Sequence, residues 1–108
     1  MTPEAQVNGN VMRVLVCDDD AASRYVAKRV LSRVLGCHVA ECGDGVEALE
    51  LLSREPFDLA FIDRRMPDMD GLVLAGRIGS LRLSPGPRLA LVSGLGLEGL
   101  EEAAAGAG

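Results

Sequence analysis

The chain has 108 residues, of which 48% are apolar, and a formal net charge of −5. This size and composition fit one small domain with its own hydrophobic core, and the negative charge argues against direct binding of nucleic acid, which needs clustered lysine and arginine. No apolar stretch reaches the length of a membrane span, and the N-terminus lacks the charged and apolar regions of a signal peptide. We therefore expect a cytoplasmic protein with no membrane partner.

Hydrophobic periodicity divides the chain into a polar leader and a series of alternating strands and helices. Residues 1–11, which include Asn8-Gly9-Asn10, are predicted to form a loose leader, and the domain is predicted to cover residues 12–108. The four predicted strands cover about 13–17, 38–41, 57–62 and 88–92. The three helices that follow the first three strands are predicted at about 21–35, 46–54 and 72–81. This alternation predicts an α/β fold with a parallel sheet and right-handed crossovers.

Apolar residues also predict which surfaces of these elements are buried. The first helix carries an apolar line at i, i+4 spacing with a second line beside it: Val26, Val30 and Val34, and Ala27, Leu31 and Leu35. The second helix carries Val46, Leu49 and Leu52 on one side. The fourth strand, at 88–92, is a continuous apolar run of the kind that is buried on both faces. Gly76 and Gly79 weaken the third helix, by roughly 1 kcal/mol each relative to alanine.

Carboxylates stand at the ends of two predicted strands. Asp18, Asp19 and Asp20 follow the first strand, and Asp63 closes the third. If these strands are parallel neighbours, their carboxyl ends meet and form one acidic pocket. Carboxylates about 5 Å apart repel by roughly 3 kcal/mol per pair at an effective dielectric of about 20, so the pocket calls for a cation. Mg²⁺ suits it, because Mg²⁺ binds one or two carboxylates together with phosphate oxygens, and Asp63 could then attack phosphorus as a nucleophile.

Four segments in this order resemble the receiver domain of two-component response regulators. They are VLVCDDD at 14–20, DGVEAL at 44–49, FDLAFIDRRMPDMDG at 57–71 and LALVSG at 89–94. The resemblance implies a flavodoxin-like, doubly wound parallel sheet with strand order 2-1-3-4, in which the carboxyl ends of the first and third strands are adjacent. It also implies a signalling module that takes a phosphoryl group from a sensor histidine kinase or a phosphotransfer protein, rather than an enzyme with small-molecule turnover.

The resemblance assigns a role to each residue of the acidic site. Asp63 is the expected phosphoacceptor and a Mg²⁺ ligand. Asp19 is expected to bind Mg²⁺ directly and Asp18 through water, and the backbone carbonyl of Arg65 completes the protein ligands. Ser93 stands where the family keeps a hydroxyl that moves to bond the phosphoryl oxygen, so its expected role is phosphoryl sensing.

The C-terminal region departs from the family pattern. The segment at 97–108 resembles the fourth helix and the turn after it, so the fifth strand and fifth helix are expected to be absent. The family's switch lysine lies at the end of that fifth strand, whereas Lys28, in the first helix, is the only lysine of the chain. We hypothesise that Arg24, Arg64 or Arg65 partly replaces it as a phosphate partner. The fourth strand is expected to be an exposed edge through which the protein could dimerise.

Other interpretations of the same residues stay open from sequence alone. The acidic site could belong to a receiver that no longer switches and acts as a phosphate sink or docking module. Asp18 and Asp20 also have the Asp-x-Asp spacing of haloacid dehalogenase phosphatases, although Asp20 alone fits a helix N-terminus. Cys37, His38 and Cys42 could suggest zinc, but strand alternation turns the two cysteines to opposite faces. The odd number of cysteines fits a reducing compartment.

Overall fold

The computed structural model describes residues 6–7 and 10–92 of the chain. The strands are β1 (Gln6–Val7), β2 (Asn10–Val11), β3 (Arg13–Cys17), β4 (His38–Cys42), β5 (Leu59–Asp63) and β6 (Arg88–Val92). The helices are α1 (Ala21–Arg29), which continues into a π-helical turn (Val30–Val34), α2 (Gly45–Arg54) and α3 (Gly71–Ser80). These bounds agree with the predicted strands and helices to within about two residues.

β3, β4, β5 and β6 form one parallel sheet in the order β4-β3-β5-β6. This is the predicted order 2-1-3-4 of the four main strands, and the doubly wound α/β fold is confirmed. The chain order reverses at β3, which lies between β4 and β5, so the carboxyl ends of β3 and β5 are neighbours. Such a reversal point is where open α/β sheets bind their ligands.

Two hydrophobic clusters cover the two faces of the sheet. Side chains of α2 and α3, including Leu52 and Leu74, pack with Leu15 and Ile62 on one face. Ala27 and Leu31 pack against the other face, in the cluster made by Val14, Val16, Phe61, Ala90 and Val92. β3 and β5 supply buried side chains to both clusters, and burying a Leu, Ile, Val or Phe side chain contributes about 1.5–3 kcal/mol.

The buried helix faces differ in part from those expected. Val26 and Val34 are 41% and 60% exposed, whereas the neighbouring line of Ala27 and Leu31 faces the sheet. The π-helical turn explains Val34, because the Leu35 N–H bonds to the Val30 carbonyl five residues back and this extra residue rotates the apolar line off the core. In α2, Val46 is 56% exposed and Leu52 is buried.

Two further expectations were wrong. The leader is not wholly loose, because β1 and β2 form an antiparallel pair. The fourth main strand is not buried on both faces, since Leu91 is 37% exposed. β6 is an edge strand among the described residues.

Glycine has opposite effects at two positions of α3. A Cβ atom on Gly71 would lie 2.8 Å from the Arg64 Cα and 2.9 Å from the Asp63 carbonyl oxygen, whereas a Cβ on Gly76 would meet nothing within 4 Å. We expect Gly71→Ala to lower the free energy of unfolding by about 2 kcal/mol or more, because backbone must move. Gly76→Ala should raise it by up to about 1 kcal/mol through helix propensity. Urea unfolding of both variants measures this, and equal effects at the two positions would contradict it.

Candidate metal and phosphoryl site

The ends of β3 and β5 bring three carboxylates together. Asp18 follows β3 directly, Asp19 comes next, and Asp63 is the last residue of β5. One carboxylate oxygen from each of the three lies within 4.8 Å of the others. Asp18 and Asp63 are buried, at 1% and 7% exposure, and Asp19 is open to solvent. The structure therefore assembles the acidic pocket that the strand ends predicted.

Asp18 is held by almost every polar atom that it has. Its N–H donates to the Cys42 carbonyl at 3.1 Å, and its carbonyl accepts from the Arg24 guanidinium at 2.7 Å. Its Oδ1 accepts from the Asp20 N–H at 2.9 Å. Its Oδ2 is buried and has no hydrogen-bond partner among the described residues. Because an unpaired buried carboxylate oxygen is costly, this atom fits a ligand for a hard cation such as Mg²⁺.

The pKa of Asp18 is shifted by the surroundings of its carboxylate. Burial, and next the negative charge of Asp63, raise the pKa of Asp18 from 3.8 to about 6. A pKa raised in this way is typical of functional carboxylates that await a positive partner.

Asp63 is fixed by the loop that follows it. Its Oδ1 accepts from the Arg65 N–H at 3.1 Å, and the Arg64 N–H donates to the Val92 carbonyl at 2.8 Å. The Arg64 carbonyl accepts from the Gly71 N–H at 2.9 Å, which closes the loop onto the start of α3. Arg65 thus lies beside Asp63, and the ligand role of its carbonyl oxygen stays a prediction. The side chains of Arg64 and Arg65 are exposed.

The loop 64–70 is also tied to α2, which sequence reasoning missed. The Asp68 carboxylate accepts from the Gly45 N–H, with its two oxygens at 3.0 and 3.3 Å. Met66 and Met69 are buried, and the Met66 Sδ lies 3.5 Å from the Cys17 Sγ. The sequence signal for this attachment was the presence of two apolar residues, Met66 and Met69, three positions apart in an otherwise polar loop.

Arg24 is the second residue whose contact was missed. It was considered as a phosphate partner, but its guanidinium donates to the Asp18 carbonyl and, at 3.3 Å, to Glu41.

Ser93, the predicted sensor, lies outside the described residues, as does the segment at 97–108. The two cysteines of the suggested zinc site belong to different clusters on opposite faces of the sheet, so they cannot share an ion there.

Comparison with known proteins identifies the family and the fold. The sequence matches the response regulator receiver domain over residues 14–108. The chain belongs to this family. The match agrees with the strand order of the sheet, and it leaves the phosphatase interpretation without support. In the described part of this receiver, no helix is both long and apolar enough for a transmembrane span.

Individual relatives agree with the family match. The receiver is 34% identical over 82 residues to the response regulator receiver protein CpdR of Brucella abortus, covering 76% of this chain and 66% of that protein. It is 37% identical over 105 residues to the histidine kinase CKI1 of Arabidopsis thaliana, covering 84% of this chain and 9% of that protein. A CheY-like receiver structure from Methanospirillum hungatei superposes with a TM-score of 0.70 at 33% identity, covering 90% of this chain and 75% of that one. This receiver thus spans less than two thirds of the length of the curated relatives.

Proposed function

We propose that this receiver accepts a phosphoryl group on the carboxylate of Asp63 in a Mg²⁺-dependent reaction. The observation that carries the proposal is the convergence of Asp18, Asp19 and Asp63, with the Asp18 Oδ2 buried and unpartnered among the described residues. Those three side chains and the carbonyl of Arg65 would hold the ion. When bound, Mg²⁺ would neutralise the carboxylates and the charge that develops on the phosphoryl oxygens.

The chain's own part in the reaction is nucleophilic. An Asp63 oxygen attacks the phosphorus of a phosphohistidine, so that an O–P bond forms and the P–N bond breaks. The imidazole nitrogen leaves with the electron pair and is protonated. The bond from the Arg65 N–H to the Asp63 Oδ1 orients the carboxylate and leaves its other oxygen for the attack. The product is an acyl phosphate on Asp63, and the module itself turns over no small molecule.

The phosphoryl donor in this proposal is a sensor histidine kinase or a phosphotransfer protein. The similarity to the histidine kinase CKI1 supports this class of partner. Ser93 remains the proposed sensor of the phosphoryl group. We place the reaction in the cytoplasm, since all three cysteines are free thiols, as a reducing compartment would keep them.

Incubation with acetyl phosphate and Mg²⁺, followed by intact-mass measurement and peptide mapping, tests the proposal. One phosphoryl group on Asp63 is the expected result, and modification at another residue would reject it. Amide hydrogen exchange on the same sample then separates a switching receiver, whose protection pattern changes on phosphorylation, from a phosphate sink, whose pattern does not.

We also propose that two receivers associate through the edge of β6. In the described part of the chain no strand pairs with the outer side of β6, and the β6 residue Leu91 is 37% exposed. An edge strand that carries an exposed apolar side chain favours the addition of a strand from a second molecule. Sedimentation velocity over a hundredfold concentration range should show a shift toward dimer that Leu91→Lys suppresses. A monomer at every concentration would exclude this association.

A further inference from the structure

Arg24 connects the acidic site to the neighbouring strand. From α1 its guanidinium donates through NH1 to the Asp18 carbonyl at 2.7 Å and through Nε to a Glu41 oxygen at 3.3 Å. NH1 also packs over Gly43, where an added Cβ would lie 3.3 Å away. One side chain therefore joins the start of α1, the end of β3 and the end of β4.

The bond to the Asp18 carbonyl completes the restraint of that residue. The Asp18 N–H bonds to Cys42, its Oδ1 accepts from Asp20, and its carbonyl accepts from Arg24. With these three atoms fixed, the orientation of the peptide and of the carboxylate is determined, and only the Oδ2 is left for a ligand. Of these three bonds, two involve backbone groups of Cys42 and Asp20, and the third comes from the Arg24 side chain.

Glu41 keeps the Arg24 charge away from the carboxylates. One Glu41 oxygen binds Arg24, and the other lies 3.5 Å from the Lys28 Nζ. A guanidinium beside three carboxylates would otherwise be drawn among them, where it would compete with a metal ion. Paired with Glu41, the Arg24 guanidinium bonds the backbone of Asp18 and does not occupy its carboxylate oxygens.

We infer that Arg24 is a positioning residue for the divalent cation of this receiver, which it serves by holding the Asp18 carbonyl. The inference rests on the proposed function for the identity of the ion. The inference predicts the direction in which cation affinity changes when Arg24 is replaced, and a purely electrostatic role predicts the opposite direction. Loss of a nearby positive charge should tighten cation binding, whereas loss of positioning should weaken it.

Calorimetric titration of Mg²⁺ into Arg24→Ala tests the inference, with Arg29→Ala as matched control. Both variants remove one positive charge from α1, but the Arg29 guanidinium bonds to the Tyr25 hydroxyl, away from the acidic site. We expect Arg24→Ala to weaken Mg²⁺ binding about tenfold, as loss of a residue that orients a metal ligand does. Arg29→Ala should stay within about twofold of the wild type. Arg24→Lys keeps the charge but not the forked geometry, and should weaken binding by about threefold or more.

A second readout distinguishes positioning from general loss of structure. At saturating Mg²⁺, phosphorylation of Arg24→Ala by acetyl phosphate should return to within about threefold of the wild-type rate, because the defect lies in ion affinity. If folded Arg24→Ala binds Mg²⁺ as tightly as the wild type, or more tightly, the inference is wrong. If Arg24→Ala does not fold, the same comparison is made with Arg24→Lys. Wild-type protein that binds Mg²⁺ but is never phosphorylated would instead reject the proposed function and leave the role of Arg24 intact.

Discussion

Replacing Asp18 by asparagine is expected to stabilise the Mg²⁺-free receiver at neutral pH. Asp18 is 1% exposed, and burial, then the charge of Asp63, raise its pKa from 3.8 to about 6. The folded protein therefore binds the Asp18 proton more tightly than the unfolded chain does. The stability that this proton contributes is fully present below pH 3.8 and is lost as the pH rises through about 6. The loss is on the order of 3 kcal/mol, at about 1.4 kcal/mol per pKa unit.

Urea unfolding in the presence of a chelator, at pH about 5 and about 7.5, measures this effect. Asp18→Asn should exceed the wild type in free energy of unfolding by about 1–3 kcal/mol at the higher pH, and the difference should shrink at the lower pH. Asp20→Asn is the matched control, since Asp20 is exposed, caps α1 through the Ser23 N–H, and can be replaced there by asparagine. An Asp18→Asn variant less stable than the wild type at both pH values would contradict the account.

Mg²⁺ should reduce the difference in stability between Asp18→Asn and the wild type. An ion that binds the folded wild type adds stability in proportion to the logarithm of its concentration over the dissociation constant. Asp18→Asn lacks the buried carboxylate and should gain far less. At pH about 7.5, excess Mg²⁺ is therefore expected to remove most of the advantage of the variant.

Replacing Asp63 by asparagine is expected to abolish phosphorylation. The neutral amide is a poor nucleophile, so the rate of modification by acetyl phosphate should fall by on the order of a thousandfold or more. The variant should remain folded, because it removes a negative charge that repels Asp18. Intact-mass time courses measure the rate, and Asp20→Asn should react within about threefold of the wild type. Undiminished modification of Asp63→Asn would place the acceptor elsewhere.

The main sheet could be predicted because its strands are short apolar runs bounded by glycine, proline and acidic residues. The order of the strands came from the resemblance to receivers, and the convergence of Asp18 with Asp63 followed from that order. The structure confirms both the order and the convergence. The antiparallel pair of β1 and β2 was missed, because strands of two residues are too short to show a period.

The helix faces were only partly predictable. The first helix has two adjacent lines of apolar residues that are offset from each other by one position. The way the helix packs on the sheet decides which line is buried. Ala27 is fully buried and Val26 is not. The π-helical turn at Val30–Val34 has no sequence signature that periodicity could detect.

The polar contacts that hold the site depend on tertiary approach. Asp68 reaches Gly45 across 23 residues, and Arg24 reaches Glu41 across 17. Neither pair has a spacing that local rules recognise, since such bonds form only after the strands have brought their loops together. The cluster of carboxylates was therefore predictable, whereas the hydrogen bonds that hold it in place were not.

Calorimetric titration of Mg²⁺ into the wild type, Asp18→Asn and Asp20→Asn tests most directly whether the three carboxylates form one cation site. The account predicts one ion per chain for the wild type and for Asp20→Asn, with similar affinities, and at least a tenfold loss for Asp18→Asn. Equal binding by all three proteins, or no binding by the wild type, would contradict it.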